Sequence, residues 1–394
     1  MDKNLLINAR IEKLKAQMIV SNIDVAIIAR PENVFYYSNF NPIINSHPVY
    51  VIVNLRKDHC LLTHCIRNDH ARAEGAIQNV QLYGKWGSNV ALALNAIDAM
   101  RELVGTEPIR LGIEGDYASM NWLRDVRNKL NVAEVSDIGE KISMLKTIKD
   151  AYEIDCLRKS SALVDCGVET AISCLDSGAN EAEACTEGQY RMRKMWHERF
   201  PSYEVCGFGS SEGAQIDSLV VWSMANERIA YGCDCPQTYV PTAGDLVLPM
   251  SWARIGGYAA ENERAVMVGT VDALRTRAYD AMLRARSELF SILRPGTLFE
   301  ELYVAAMRVF EDAGFSSILP GRCGHGIGLS THEFPSLTSG NKIPLAPGMV
   351  FTVEPGLMTK DWGGVRHSDT VLVTEEGYEL LTKLRRDTIV IKNK

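Results

Sequence analysis

The chain has 394 residues, 46% of them hydrophobic, with 42 Lys and Arg against 49 Asp and Glu. At roughly 100–200 residues per domain this length predicts two or three domains, and a net charge of -7 without a long basic block argues against a nucleic-acid partner. No apolar run reaches the ~20 residues of a bilayer span, and the polar, amphipathic start "MDKNLLINARIEKLKAQM" lacks the apolar core of a secretory leader, so a soluble, cytoplasmic protein without membrane contact is expected, its ten scattered cysteines free.

In chain order, "ARIEKLKAQMIVSN" has helical spacing and "VAIIA" reads as a short buried strand. "RPENVFYYSNF" reads as a loop leading into another element. "VYVIVNL", "CLLTH" and "IRLGIEG" read as strands, and "NVALALNAIDAMRELVG" as a helix ending at Gly105. This is an α/β domain, closing near "VSDIGEKISMLKTIKD". Beyond it, "DAYEIDCLRKSSALVDCGVETAISCLD" and "EAEACTEGQYRMRKMWHERF" are predicted helices. Strands "SLVVWSM", "DLVLPMSWARI" and "ERAVMVG" follow. "VDALRTRAYDAMLRARSELFSIL" is a third long helix, stopped at "RPG", and "LFEELYVAAMRVFEDAG" a fourth. Strands "MVFTVEPGLM" and "DTVLVTEEGYELL" finish the chain. Helices mixed with strands that can pair antiparallel predict an α+β second domain.

The stretch "GRCGHGIGLSTHEFPSL" has the character of an active-site loop. His325 and His332 lie seven residues apart among glycines, which let backbone approach a ligand closely. Histidine exchanges protons near neutral pH. A lone buried histidine is usually structural, but two in one such loop are candidate catalytic residues. Glu333 beside them is a candidate for orienting a neighbour.

The ordered set "KTIKDAYEIDCLRKSSALVD", "GDLVL", "GHGIGLSTHEFP", "LAPGMVFTVEPG" and "GGVRHSDTVLVTEEGYELLT" resembles the creatinase/prolidase/aminopeptidase P superfamily. "RIEKLKAQMIVSNIDVAIIARPENVFYYSNF" is similar to that superfamily's creatinase-type N-terminal domain. The resemblance implies an α/β N-terminal domain over 1–142 and an α+β pita-bread catalytic domain over 143–394. It also implies a homodimer whose active site is shared between subunits.

Peptidases of this superfamily bind two divalent metals through two aspartates, a histidine and two glutamates. The resemblance sets these on Met250, Glu261, His325, Glu354 and Ser368. A thioether is a poor ligand for hard ions and a serine hydroxyl a weak one, so two ligands are lost. Creatinase works without metal, and the resemblance to it sets substrate-binding glutamates on Glu263 and Glu354. The expectation is therefore an enzyme without metal or other cofactor. It would hydrolyse a C–N bond in a small, polar, nitrogen-rich metabolite. His325, His332 and Glu354 would be catalytic, and Glu261, Glu263, Arg366 and His367 would contact substrate, with His47 from the partner subunit. The resemblance to creatinase sets its general acid/base histidine on Cys233 or, with a gap, on Tyr231 or Cys235, and the Cys233 thiol is itself a candidate nucleophile. Nothing in the sequence lowers its thiol pKa, so an activated water is preferred as the attacking group. Three other readings stay open: a metal-dependent Xaa-Pro aminopeptidase or dipeptidase, a lyase on a small metabolite, and a non-catalytic pita-bread binding protein.

Overall fold

The computed structural model describes residues 3–232 and 234–392. The chain forms two compact units, one of residues 1–146 with 207–216, the other of residues 147–206 with 217–394.

In the first unit a sheet runs in the order β4-β3-β2-β1-β5-β6. Its strands are β1 (Val25–Ile28), β2 (Tyr50–Asn54), β3 (Cys60–His64), β4 (Val80–Tyr83), β5 (Ile109–Ile113) and β6 (Val132–Asp137). Helices α1 (Lys3–Val20), α2 (Pro31–Ser38), α3 (Asn68–Glu74), α4 (Ala96–Val104), α5 (Met120–Lys129) and α6 (Gly139–Leu145) alternate with them. The α/β expectation holds. Two local readings do not. The segment "RPENVFYYS" is helical from Pro31, whose fixed φ suits a first helical turn. The helix expected from Asn89 begins only at Ala96, because Asn95 accepts from the Asp98 N–H and so caps it there.

The second unit is built on an 11-stranded sheet with the path β12-β11-β13-β15-β9-β8-β10-β17, with β7 added on β8 and β14 and β16 on β15. These strands are β7 (Leu219–Ala225), β8 (Leu246–Ile255), β9 (Tyr258–Arg264), β10 (Val266–Val268), β11 (His325–Gly326), β12 (Glu333–Ser336), β13 (Val350–Val353), β14 (Gly356–Thr359), β15 (Gly363–Val373), β16 (Tyr378–Leu380) and β17 (Val390–Ile391). Four helices accompany them: α7 (Ala151–Asp176), α8 (Glu181–Arg199), α9 (Ala273–Ile292) and α10 (Phe299–Asp312). This is the α+β pita-bread arrangement. Capping boxes set the starts of two of these helices, Asp150 with Glu153 for α7 and Asn180 with Glu183 for α8. Met282, Leu289, Phe299, Phe310 and Phe351 pack α9 and α10 into one apolar core with the sheet.

Alternation along the strands decides which side chains share a face. On β9, Asn262 reaches Asp165 of α7, and Arg264 binds Asp369. Glu261 and Glu263 therefore project from the opposite face. Among the described residues no helix is long and apolar enough to cross a membrane.

Candidate metal centre

Strands β7, β8, β9 and β15 and the histidine loop meet on the face that carries Glu261. Register sets Trp222, Met250, Glu263 and Ser368 in one row across β7, β8, β9 and β15, with Trp252 opposite Glu261 in the next. His325 enters from β11. Gly324 before it is obligatory, since a Cβ there would lie 2.0 Å from the Thr352 carbonyl oxygen on β13. Thr352 Oγ1 accepts from the His325 N–H at 3.0 Å, and the Glu354 N–H donates to the Cys323 oxygen at 2.9 Å. These bonds lock the histidine loop beside the end of β13, where Glu354 leaves the strand.

The result is a buried cluster of Glu261, His325 and Glu354, whose donor atoms all lie within 4.8 Å of one another. His325 Nδ1 lies 3.0 Å from the Gly326 carbonyl oxygen. A carbonyl only accepts, so Nδ1 carries the proton and Nε2 presents its lone pair. That Nε2 is buried without a hydrogen-bond partner. It stands 3.8 Å from Glu261 Oε2 and 3.7 Å from Glu354 Oε1, too far for hydrogen bonds. Donors ~2.1 Å from one tetrahedral ion lie ~3.4 Å apart, so the three residues fit a single divalent cation after small inward shifts.

Outer partners fix the carboxylates, as ligand-orienting groups do. Trp252 Nε1–H donates to Glu261 Oε2 at 2.7 Å, and the Ser368 hydroxyl donates to Glu261 Oε1 at 2.7 Å and lies 3.4 Å from Glu354 Oε2. Burial, then the neighbouring Glu354 charge, pushes the Glu261 carboxyl up to about 7. Burial likewise raises Glu354. Two carboxylates so placed are costly without a cation between them.

Beside this cluster Arg366 forks onto Glu263, donating from Nε to one oxygen and from Nη2 to the other at 2.6 Å. Burial disfavours the guanidinium charge, but Glu263, Glu354 and Glu261 outweigh it and raise the Arg366 pKa. Gly356 opposite Arg366 leaves room for the fork, since a Cβ there would meet the Arg366 Cβ at 2.8 Å.

The structure brings Glu261, Glu263, His325, Glu354 and Arg366 together. The His332 ring lies 4.1 Å from that of His325, centroid to centroid. Desolvation, then His325, lowers its pKa to about 4, which leaves the imidazole neutral near pH 7. Lys149 and Glu333 form a buried ion pair, and Glu333 also accepts from the Ser330 N–H, which ties down the loop that carries His332. His367 is not part of the cluster. It is fully buried on the other face of β15, where Nδ1 lies 3.1 Å from the Ala265 N–H and the ring meets Tyr279 edge-on. His47 belongs to the first unit, with its ring 4.2 Å from that of His64. Cys233 lies outside the described residues. Cys235 is exposed. Trp252 escaped the sequence reading. It sits two residues from Met250 on a strand, so it shares Met250's face, and that parity was the available signal.

The second unit thus presents a buried carboxylate–histidine cluster of a kind that can hold a divalent ion. The chain belongs to the metallopeptidase family M24, whose description matches residues 155–375, and residues 10–148 match the creatinase/prolidase N-terminal domain. It is 28% identical over 381 residues to the Xaa-Pro dipeptidase of Pyrococcus furiosus, covering 96% of this chain and 99% of that protein. The solved prolidase from Pyrococcus furiosus superposes with a TM-score of 0.78 at 27% identity, over 94% of this chain and 99% of that one. The prolidase from Pyrococcus horikoshii shares the fold, with a TM-score of 0.82 at 24% identity over 97% and 100%.

These findings correct the metal-independent, creatinase-like reading. That reading gave decisive weight to Met250 and Ser368. The similar proteins carry peptidase names, and the three remaining donors gather with an unpartnered imidazole nitrogen at their focus.

Proposed function

We propose that this protein is a metal-dependent dipeptidase acting on Xaa-Pro dipeptides, with Glu261, His325 and Glu354 holding a divalent ion. The observation that carries the reading is the buried His325 Nε2 lone pair, aimed between two carboxylates and partnered by nothing. When bound, such an ion supplies Lewis-acid polarisation of the scissile carbonyl and a nucleophile at neutral pH.

The chain's own residues do the rest. Gly326 fixes the His325 tautomer. Trp252 and Ser368 hold Glu261 in one orientation. His332, neutral near pH 7 with its ring beside that of His325, is placed to take a proton from the attacking water and then pass it to the departing amine. Trp222 and Trp252, packed edge to face at 5.4 Å on the same sheet face as Glu261, offer an apolar wall suited to a prolyl ring. A homodimer belongs to this reading, and sedimentation at micromolar concentration checks it. A monomer that hydrolyses dipeptide at the full rate removes any role for His47 of a partner.

The test is hydrolysis of Ala-Pro by protein stripped with chelator and then reloaded with Mn2+ or Zn2+. The stripped protein should be inactive and the reloaded protein active, with Ala-Pro preferred over Ala-Ala. Turnover unaffected by stripping, or absent with every divalent ion, would sink the reading.

A further inference from the structure

We propose that the centre takes one divalent ion and not two, because the Arg366 guanidinium is a built-in cation that occupies both oxygens of Glu263, the one carboxylate left for a second ion. The inference rests on the reading just given, that Glu261, His325 and Glu354 hold the first ion.

The donors available beside that first place come from a single row of the sheet: Trp222, Met250, Glu263 and Ser368. Each is unsuited or already committed. Met250 is 1% exposed and packs in an apolar cluster with Met224, Ile229 and Leu248, and its thioether is soft. The Ser368 hydroxyl is neutral and spends its proton on Glu261. Glu263 is the one carboxylate in the row, and both of its oxygens accept from Arg366. Freeing it would leave the partly buried Arg366 guanidinium, 24% exposed, without its counter-ion.

Charge points the same way. Glu261, Glu263 and Glu354 are buried carboxylates, and Arg366 is a cation that cannot deprotonate. His325 is neutral when its lone pair faces the cluster. With all three carboxylates ionised, as ligation requires of Glu261 and Glu354, the group carries two uncompensated negative charges. One divalent ion cancels them, and a second would create an equal positive excess in a low-dielectric site. Arg322 is exposed and screened by water, and Lys149 is matched by Glu333, so neither alters the balance.

The experiment counts ions. Chelator-stripped protein is titrated with Mn2+ and followed by calorimetry and by the free-Mn2+ electron paramagnetic resonance signal. One ion per chain is expected. Two ions of comparable affinity would overturn the inference while leaving the dipeptidase reading intact. No binding would overturn both.

Two variants test the guanidinium itself. Arg366→Gln removes the internal cation and releases Glu263, so Mn2+ should bind at least tenfold more tightly or a second ion should appear. Unchanged or weaker binding would overturn the role given to Arg366. Glu263→Gln leaves the guanidinium uncompensated, so affinity should fall at least tenfold at a stoichiometry of one. An unchanged affinity would overturn the charge argument. Circular dichroism establishes that each variant is folded, and if Arg366→Gln is not, Glu263→Gln and the wild-type count still decide the matter.

Discussion

A histidine nitrogen with no hydrogen-bond partner is an expensive thing to bury, and at His325 the cost is met only if something else takes the lone pair. Removing the ring should therefore cost ion binding first. We expect His325→Ala to weaken Mn2+ affinity by more than the ~10–100-fold typical of losing an outer partner, measured by calorimetry. Trp252→Phe is the finer probe. It keeps the aromatic contact with Trp222 and deletes only the N–H that orients Glu261, so the expected loss of ion affinity is ~10-fold with little change in stability. An unchanged affinity would mean that Ser368 alone orients the carboxylate. Much of this centre was legible in the sequence. The glycine loop marked His325 and His332, and the resemblance set Glu261 and Glu354 beside them. What misled was the weight given to Met250 and Ser368. Losing ligands reads in a sequence as losing the metal. Only the three-dimensional spacing shows that Glu261, His325 and Glu354 converge, and that the Ser368 hydroxyl donates to Glu261.

Strand β15 shows how one element serves two tasks by alternation. Its odd-numbered side buries Asp369, fully enclosed, against Arg264 at 2.7 Å, Arg286, and Arg386 at 3.2 Å, with Thr382 Oγ1 at 2.6 Å. Its even-numbered side presents Arg366 and Ser368 to the centre. The Asp369 knot thus pins the register that aims the site. Asp369→Asn should destabilise the protein by about 3–5 kcal/mol, because it leaves buried guanidiniums unmatched. Burial opposes the Asp369 charge, but the three arginines outweigh it and hold the carboxyl far below its ordinary range. A depressed folded pKa contributes stability above the unfolded value, ~3.9, and loses it as pH falls toward the folded one. The penalty of Asp369→Asn should therefore be full at pH 7 and narrower at pH 3, as read from denaturant midpoints. A penalty independent of pH would contradict the assignment. The long helices α7 to α10 were readable from periodicity to within a residue or two. Strand β6 was not, because its burial is partial and its sequence "VAEVSD" lacks clean alternation. The opening of α4 was over-extended because the apolar residues before Asn95, exposed in the structure, mimic a helical face.

At the level of the whole molecule, ion binding and folding should be linked. A ligand bound only by the folded state, at a free concentration of 100 times its Kd, adds about 2.7 kcal/mol. For a catalytic unit of this size that corresponds to a rise in melting temperature of about 5–10 °C on reloading stripped protein, readable by scanning calorimetry. A melting curve indifferent to Mn2+ would speak against the buried centre as the binding place. The two-part organisation was visible in the shift of composition near residue 150, but the sequence gives no sign that the first part is discontinuous. Residues 207–216 belong to it: Ser210 exchanges backbone hydrogen bonds with Ile43 and Asn45 at 2.8 and 3.0 Å, and the Phe208 ring packs 5.2 Å from that of Phe35. The ribosome therefore delivers the first part in two instalments, some sixty residues apart, with α7 and α8 emerging between them. A nascent chain arrested near residue 150 lacks the piece that covers Phe35. In pulse proteolysis of stalled chains, its protease resistance should rise only after residue 216 has cleared the exit tunnel.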